Sequence, residues 1–241
     1  MSEIETQITI ENEAPFEAPP VAESSIVRIS SRTAVILLLF TVVFTALMAA
    51  TYFGTKPAID ASARAEKMKL IDEVLPKAYY DNDLLADDIT LPPVAALGLT
   101  DPSTAYRARK DGQPAALVIE AAAPDGYSGR IGLLLAVDTT GRLVAVRVTG
   151  HKETPGLGDY IDPKKDKNKA SPWIAQFNGK ALGEIAREQW KVKKDGGVFD
   201  AHVGATISAR AVTNAGGRAL DWLVPRRERL FALPADGKFE E

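Results

Sequence analysis

From Thr33 to Phe53 the chain reads TAVILLLFTVVFTALMAATYF without a charge. About 20 apolar residues at 1.5 Å rise cross the hydrocarbon core of a bilayer, so this pattern predicts a transmembrane helix over 33–53. The run is longer than the apolar core of a secretory leader and no A-x-A site closes it, which favours an uncleaved anchor. Tyr52 and Phe53 suit a membrane interface. Behind the anchor, ASARAEKMKLIDEVL (61–75) sets Ala65, Met68, Leu70, Ile71 and Leu75 near helical spacing and predicts a juxtamembrane helix. Pro76 ends it, and the stretch through Pro92 and Pro93 reads as connection.

Further along, the period changes. AALVIEAA (115–122), RIGLLLAV (130–137) and LVAVRV (143–148) are short apolar runs bounded by turn residues, and they predict strands. Pro124, Asp125, Gly126 and Gly129 fill the first gap and DTTG (138–141) the second, spacings that suit hairpins and an antiparallel sheet. From Ala209 to Leu223 the apolar positions Val212, Ala215, Ala219, Leu220 and Leu223 return to one helical face. A sheet flanked by helices is an α+β domain.

With 241 residues, 46% of them hydrophobic, the chain holds one span and one globular domain. The pattern divides it into an N-terminal tail (1–32), the span (33–53), a juxtamembrane helix and linker (54–95) and a folded domain (96–235). Before Arg28 the chain carries glutamates but no basic residue, with Pro15, Pro19 and Pro20 among them, and disorder is expected there. Arg28 and Arg32 precede the span while Lys56, Arg64 and Lys67 follow it, so basic residues alone do not orient it. A net charge of −3 offers no surface for nucleic acid. Without cysteine there are no disulfides, thiolate metal sites, Cys-ligated clusters or c-type haem attachments. His151 and His202, far apart in sequence, do not by themselves make a metal site.

Two segments carry candidate chemistry. In DAHVGATISARAV (200–212), Gly204, Ala205 and Thr206 stand where a loop enters the helix. Small residues at a helix start leave backbone N–H groups open, as phosphate sites require. The same spacing suits a plain helix cap by Thr206 or Ser208. In VRVTGHKETPGLGDYI (146–161), Thr154, Pro155, Gly156 and Leu157 have the order of a type II turn. That turn is either structural or lines a ligand, since Gly156 and Gly158 allow close backbone approach; His151 and Glu153 beside it face ligand or solvent. Gly126, Gly129 and Gly132 do not form a dinucleotide fingerprint. Trp173 reads as core.

DAHVGATISARAV resembles the flavinylation motif, D-x-x-S/T-G-A-T, of the RnfG/NqrC FMN-binding family, the flavin subunits of the Rnf and sodium-pumping quinone oxidoreductase complexes. HKETPGLG and GYSGRIG resemble further stretches of that family, in the same order. Val203 departs from the motif, where Ser or Thr is frequent. The resemblance implies FMN joined covalently by a phosphoester to Thr206, with Asp200, Gly204, Ala205 and Ser208 around it and Thr154, Gly156 and Leu157 lining the flavin. It further implies a flavin transferase for maturation, other membrane subunits of an Rnf-type ion-translocating complex as partners, and a bacterial inner-membrane protein with its large domain in the periplasm. It favours the RnfG (or RsxG) branch. An NqrC-like subunit, a cofactor-free assembly module and a flavin-binding sensor are the alternatives.

Overall fold

Residues 23–240 are described in the structure, a computed structural model; of the tail expected over 1–32, residues 1–22 lie outside the described residues. The uncharged run is part of one helix, α1 (Glu23–Val74). This helix takes in residues 23–32 and continues through Pro57 into the stretch expected as a separate juxtamembrane helix. Pro57 removes one amide from the ladder, yet the flanking residues remain helical.

The chain divides into two units, Met1–Ile59 and Asp60–Glu241. In the first, α1 is long and apolar enough to cross a membrane: its most apolar window has a mean hydropathy of 2.5 and none of it is buried. The hydroxyls of Thr33, Thr41 and Thr51 donate to the carbonyls of Ile29, Leu37 and Leu47 at 2.9–3.0 Å. These three polar groups of the apolar run are thereby satisfied within the helix, as a lipid surround demands.

The second unit is built on a six-stranded sheet: β1 (Asp88–Leu91), β2 (Ser103–Lys110), β3 (Gln113–Gly126), β4 (Gly129–Asp138), β5 (Leu143–Gly150) and β6 (Gly237–Lys238), in spatial order β5-β4-β3-β2-β1-β6. The three strands expected from apolar runs are β3, β4 and β5. The sheet is mixed rather than purely antiparallel, because β6 pairs parallel with β1. Strands β1, β2 and β6 were not expected, and β1 falls in the stretch read as connection; four residues are too few for an alternation to register, and β2 carries Arg107 and Arg109 among its inward positions.

Period-2 geometry sends alternate side chains to opposite faces. Leu117 and Ile119 of β3 with Ile131, Leu133 and Leu135 of β4 build the larger core beneath α2 (Thr206–Leu223). Val118, Leu134 and Ala136 face the other way, to a smaller core closed by Ile71, Val74 and Leu75. The five apolar positions assigned to one face of α2 are all buried. A short helix, α3 (Arg227–Ala232), follows.

Candidate functional site

Three segments meet at one end of the sheet. The β3–β4 hairpin turns through Tyr127 and Ser128, with Gly126 paired to Gly129. Strand β5 runs antiparallel to β4 and pairs Gly150 with Gly132, so the chain leaves the sheet beside that hairpin. The start of α2 completes the group. Between them lies a cavity of about 260 Å³, lined by Tyr127, by Glu153, Thr154, Leu157 and Gly158, and by Gly204, Ala205, Ile207 and Ser208.

The loop after β5 makes the predicted turn. The Thr154 carbonyl accepts from the amides of Leu157 at 3.1 Å and Gly158 at 3.0 Å. Gly156, the third residue, has φ +74, a conformation that side-chain-bearing residues rarely adopt. Its amide donates to Asp159 Oδ1 at 2.8 Å.

Glu153 joins all three segments. It is only 4% exposed. Its Oε1 accepts from the Ser128 amide at 2.9 Å, and its Oε2 accepts from the Ser208 hydroxyl. Its own amide donates to His151 Nδ1 at 3.1 Å. Gly158 is required here by space: a Cβ on it would lie 2.6 Å from Ser208 Oγ and 3.0 Å from Glu153 Oε2.

Helix α2 begins at Thr206, with Ala205 as the capping residue and no side-chain hydrogen bond to the cap. The capping reading of Thr206 or Ser208 therefore does not hold: the Ser208 hydroxyl is turned to Glu153, and the first amides of the helix have no side-chain acceptor. Tyr160 braces the preceding loop, its hydroxyl donating to the Ala205 carbonyl at 3.2 Å and accepting from the His202 amide at 3.1 Å. Its ring stacks on His202 at 3.8 Å and meets Trp173 edge-on at 5.4 Å. Burial pushes the Tyr160 hydroxyl above the usual tyrosine range, only partly offset by the His202 amide.

A model of the FMN-binding domain matches residues 126–221, and a model of the RnfG N-terminal region matches residues 25–74. The chain is 45% identical over 201 residues to the G subunit of an ion-translocating oxidoreductase complex from Pseudomonas aeruginosa, covering 83% of this chain and 92% of the relative. Proteins of the same name from Shewanella baltica and Vibrio cholerae are 41% and 39% identical over 199 and 203 residues, covering 83% and 84% of this chain and 92% and 94% of theirs. This chain belongs to the RnfG family. It is a membrane-anchored member, through the apolar part of α1, and its folded unit contains the FMN-binding domain.

The cavity residues of this family member fit FMN. Uncapped amides at the start of α2 suit a phosphate. Tyr127, Leu157 and Ile207, 67%, 56% and 42% exposed, offer apolar surface to a flat ring. Small residues, Gly204 and Ala205, keep the approach to the helix open.

Of the residues assigned from the motifs, Thr154, Leu157, Gly204, Ala205 and Ser208 line the cavity. Gly156 forms the turn between two of them, and Thr206 stands between the lining residues Ala205 and Ile207. Asp200 is elsewhere: its carboxylate pairs with Lys193 at 2.7 Å on the surface, and its main chain is tied to Trp173 and Gln176. Trp173 is core, as expected. Tyr127, Ile207 and the wall residue Glu153 were not assigned to the site. HKETPGLG pointed to Glu153 without saying which way it faces; the hairpin tip that supplies Tyr127 and the Ser128 amide lies within GYSGRIG, a stretch that resembles the family but was given no role at the site.

Proposed function

We propose that this protein is a redox subunit of an ion-translocating oxidoreductase complex, relaying electrons through FMN esterified to Thr206. The observation that carries this reading is the start of α2: Thr206 is its first residue, no side chain caps it, and its neighbours Ala205 and Ile207 line the cavity. Bound there, FMN supplies a centre that takes up one or two electrons and gives them up singly.

The chain's own residues have three tasks. The α2 amides hold the phosphate, and Leu157, Ile207 and Tyr127 give the ring an apolar bed. Thr206 Oγ1 fixes the cofactor by attacking the phosphorus of an activated FMN donor, a phosphoanhydride presented by a flavin transferase. The Oγ1–P bond forms, the hydroxyl proton passes to solvent, and the donor's second nucleotide leaves as its monophosphate with the electron pair of the broken P–O bond. Attachment prevents loss of cofactor by dissociation, which matters most for a domain on the periplasmic side of the inner membrane, where we place residues 60–241. The partners in this reading are the other membrane subunits of the complex, since the relatives bear the name of one component of such an assembly.

The test is an ultraviolet image of a denaturing gel with intact-mass analysis, comparing wild type and Thr206→Ala made with a flavin transferase. Fluorescence in wild type alone, with a gain equal to FMN less water, supports the reading. A bare wild-type chain beside a labelled control protein overturns it. A phosphatase fused after Glu241 reports the side of the membrane, and activity confined to the cytoplasm would remove the periplasmic placement.

A further inference from the structure

A carboxyl group, that of Glu153, stands beside the uncapped start of α2. Both oxygens of the buried Glu153 accept hydrogen bonds, from the Ser128 amide and from the hydroxyl of Ser208, two residues beyond Thr206 in the first turn of α2. Accepting at both oxygens is the bonding pattern of a carboxylate. Both partners are uncharged, so neither neutralises the carboxylate in the cavity wall. A helix N-terminus supplies roughly half a positive charge. One carboxylate therefore exceeds what the helix end offers, and a second anion placed there meets net opposition that grows with its own charge.

Free FMN and attached FMN differ in that charge. A phosphate monoester carries about −1.5 to −2 at pH 7, whereas the phosphodiester formed with a threonine hydroxyl carries a single negative charge. We propose that Glu153 is a charge filter: it makes the site selective for flavin phosphate in singly charged, diester form over free, doubly charged FMN. This rests on the attachment at Thr206 proposed above. The packing holds the carboxylate in that role. A Cβ at Gly126 would lie 2.9 Å from Glu153 Oε1 and one at Gly158 would lie 3.0 Å from Oε2, so both glycines leave room that the carboxylate uses. A neutral residue at 153 would leave the helix end free for a dianion, and the chain not yet carrying its cofactor would then be open to occupation by any free FMN around it.

The test uses the full chain in detergent, made without a flavin transferase and titrated by flavin fluorescence with three ligands: FMN, its methyl phosphodiester, and riboflavin. Wild type is expected to bind the methyl diester about tenfold or more tighter than FMN. In Glu153→Gln, where the amide replaces the carboxylate at nearly the same shape, that gap closes through tighter FMN binding, while riboflavin changes by less than about threefold. FMN binding as tightly as its diester to wild type, an unchanged gap in Glu153→Gln, or no binding of the diester to wild type at millimolar ligand overturns the filter. If Glu153→Gln does not fold, the wild-type comparison of the two phosphates decides alone. Attachment is scored separately, by labelling the same preparation with a flavin transferase: failure to label at Thr206 defeats the attachment reading, whereas the ligand ranking defeats or supports the filter.

Discussion

The indole N–H of Trp173 donates to the carbonyl of Asp200 at 2.6 Å. Asp200 belongs to the motif, yet the structure engages its main chain: the carbonyl meets Trp173, and the amide donates to Gln176 Oε1 at 2.7 Å. The two bonds fix the base of the loop that ends at Thr206. Trp173→Phe keeps most of the edge-on packing against Tyr160 and Phe177 but leaves that carbonyl with only the longer bond from Gln176 Nε2 at 3.4 Å. The expected cost is about 1 kcal/mol of stability, measured by chemical denaturation. Labelling of the variant by a flavin transferase should slow more than the stability loss explains, because the acceptor loop is less ordered. Asp200→Asn, which keeps both main-chain bonds, should have normal stability.

The cavity wall tolerates no added volume where Glu153 meets α2. Gly158→Ala places a methyl 2.6 Å from Ser208 Oγ, and relief requires the hydroxyl or the carboxylate to move. Overpacking of this kind costs roughly 1–3 kcal/mol. Gly150→Ala, a few residues earlier where a Cβ meets nothing within 4 Å, should lie within about 0.5 kcal/mol of wild type. Thermal melts of the two variants check the contrast, and equal losses would mean that the Glu153–Ser208 contact does not constrain the loop.

How far the sequence carried the fold follows from these same residues. Strands β3, β4 and β5 were legible because Leu117, Ile119, Leu133 and Leu135 come in branched or aliphatic runs closed by glycine, proline and aspartate. Strand β2 was not, because Arg107 and Arg109 read as surface charge. In the structure Arg107 is 1% exposed, its charge met by Asp87 and by carbonyls of the C-terminal segment, partners more than a hundred residues away in part. At the site, the turn through Pro155 and Gly156 and the helix entry at Thr206 are local events, and local sequence encodes them. Burial of Glu153 depends on Ser128 and Ser208, which only the completed sheet and helix bring together.

Asp88 offers a pH test. Burial, with the Asp236 carboxylate next to it, holds its carboxyl above the ordinary aspartate value, against smaller opposing effects of its own backbone amide and Lys67. The folded protein thus holds this proton more tightly than the unfolded chain. Its contribution to stability is complete below the unfolded value and is lost as pH rises through the folded one. At neutral pH the charge opposes folding. Asp88→Asn, whose amide can still donate to Asp236, should melt higher than wild type at pH 7 and lose that advantage below about pH 4. A constant difference between the two melts across this range would contradict the assignment.

The far edge of the sheet allows stability to be separated from cofactor attachment. Arg107 pairs with Asp87 and donates to the carbonyls of Leu230, Phe231 and Leu233, while Arg109 meets the same carboxylate at 2.7 Å. Two guanidinium groups therefore depend on Asp87, and one of them is buried. Asp87→Ala leaves that buried charge with carbonyl dipoles alone, at a cost of roughly 3 kcal/mol. Strands β1 and β2 lie on the opposite side of β3 from β4 and β5, and no residue of this network lines the cavity at the start of α2. Flavin labelling of Thr206 in Asp87→Ala should thus match wild type below its lowered melting temperature. Unfolding curves and gel fluorescence from one preparation measure both quantities. Parallel loss of labelling and stability at temperatures where the variant remains folded would mean that the C-terminal clamp also shapes the start of α2.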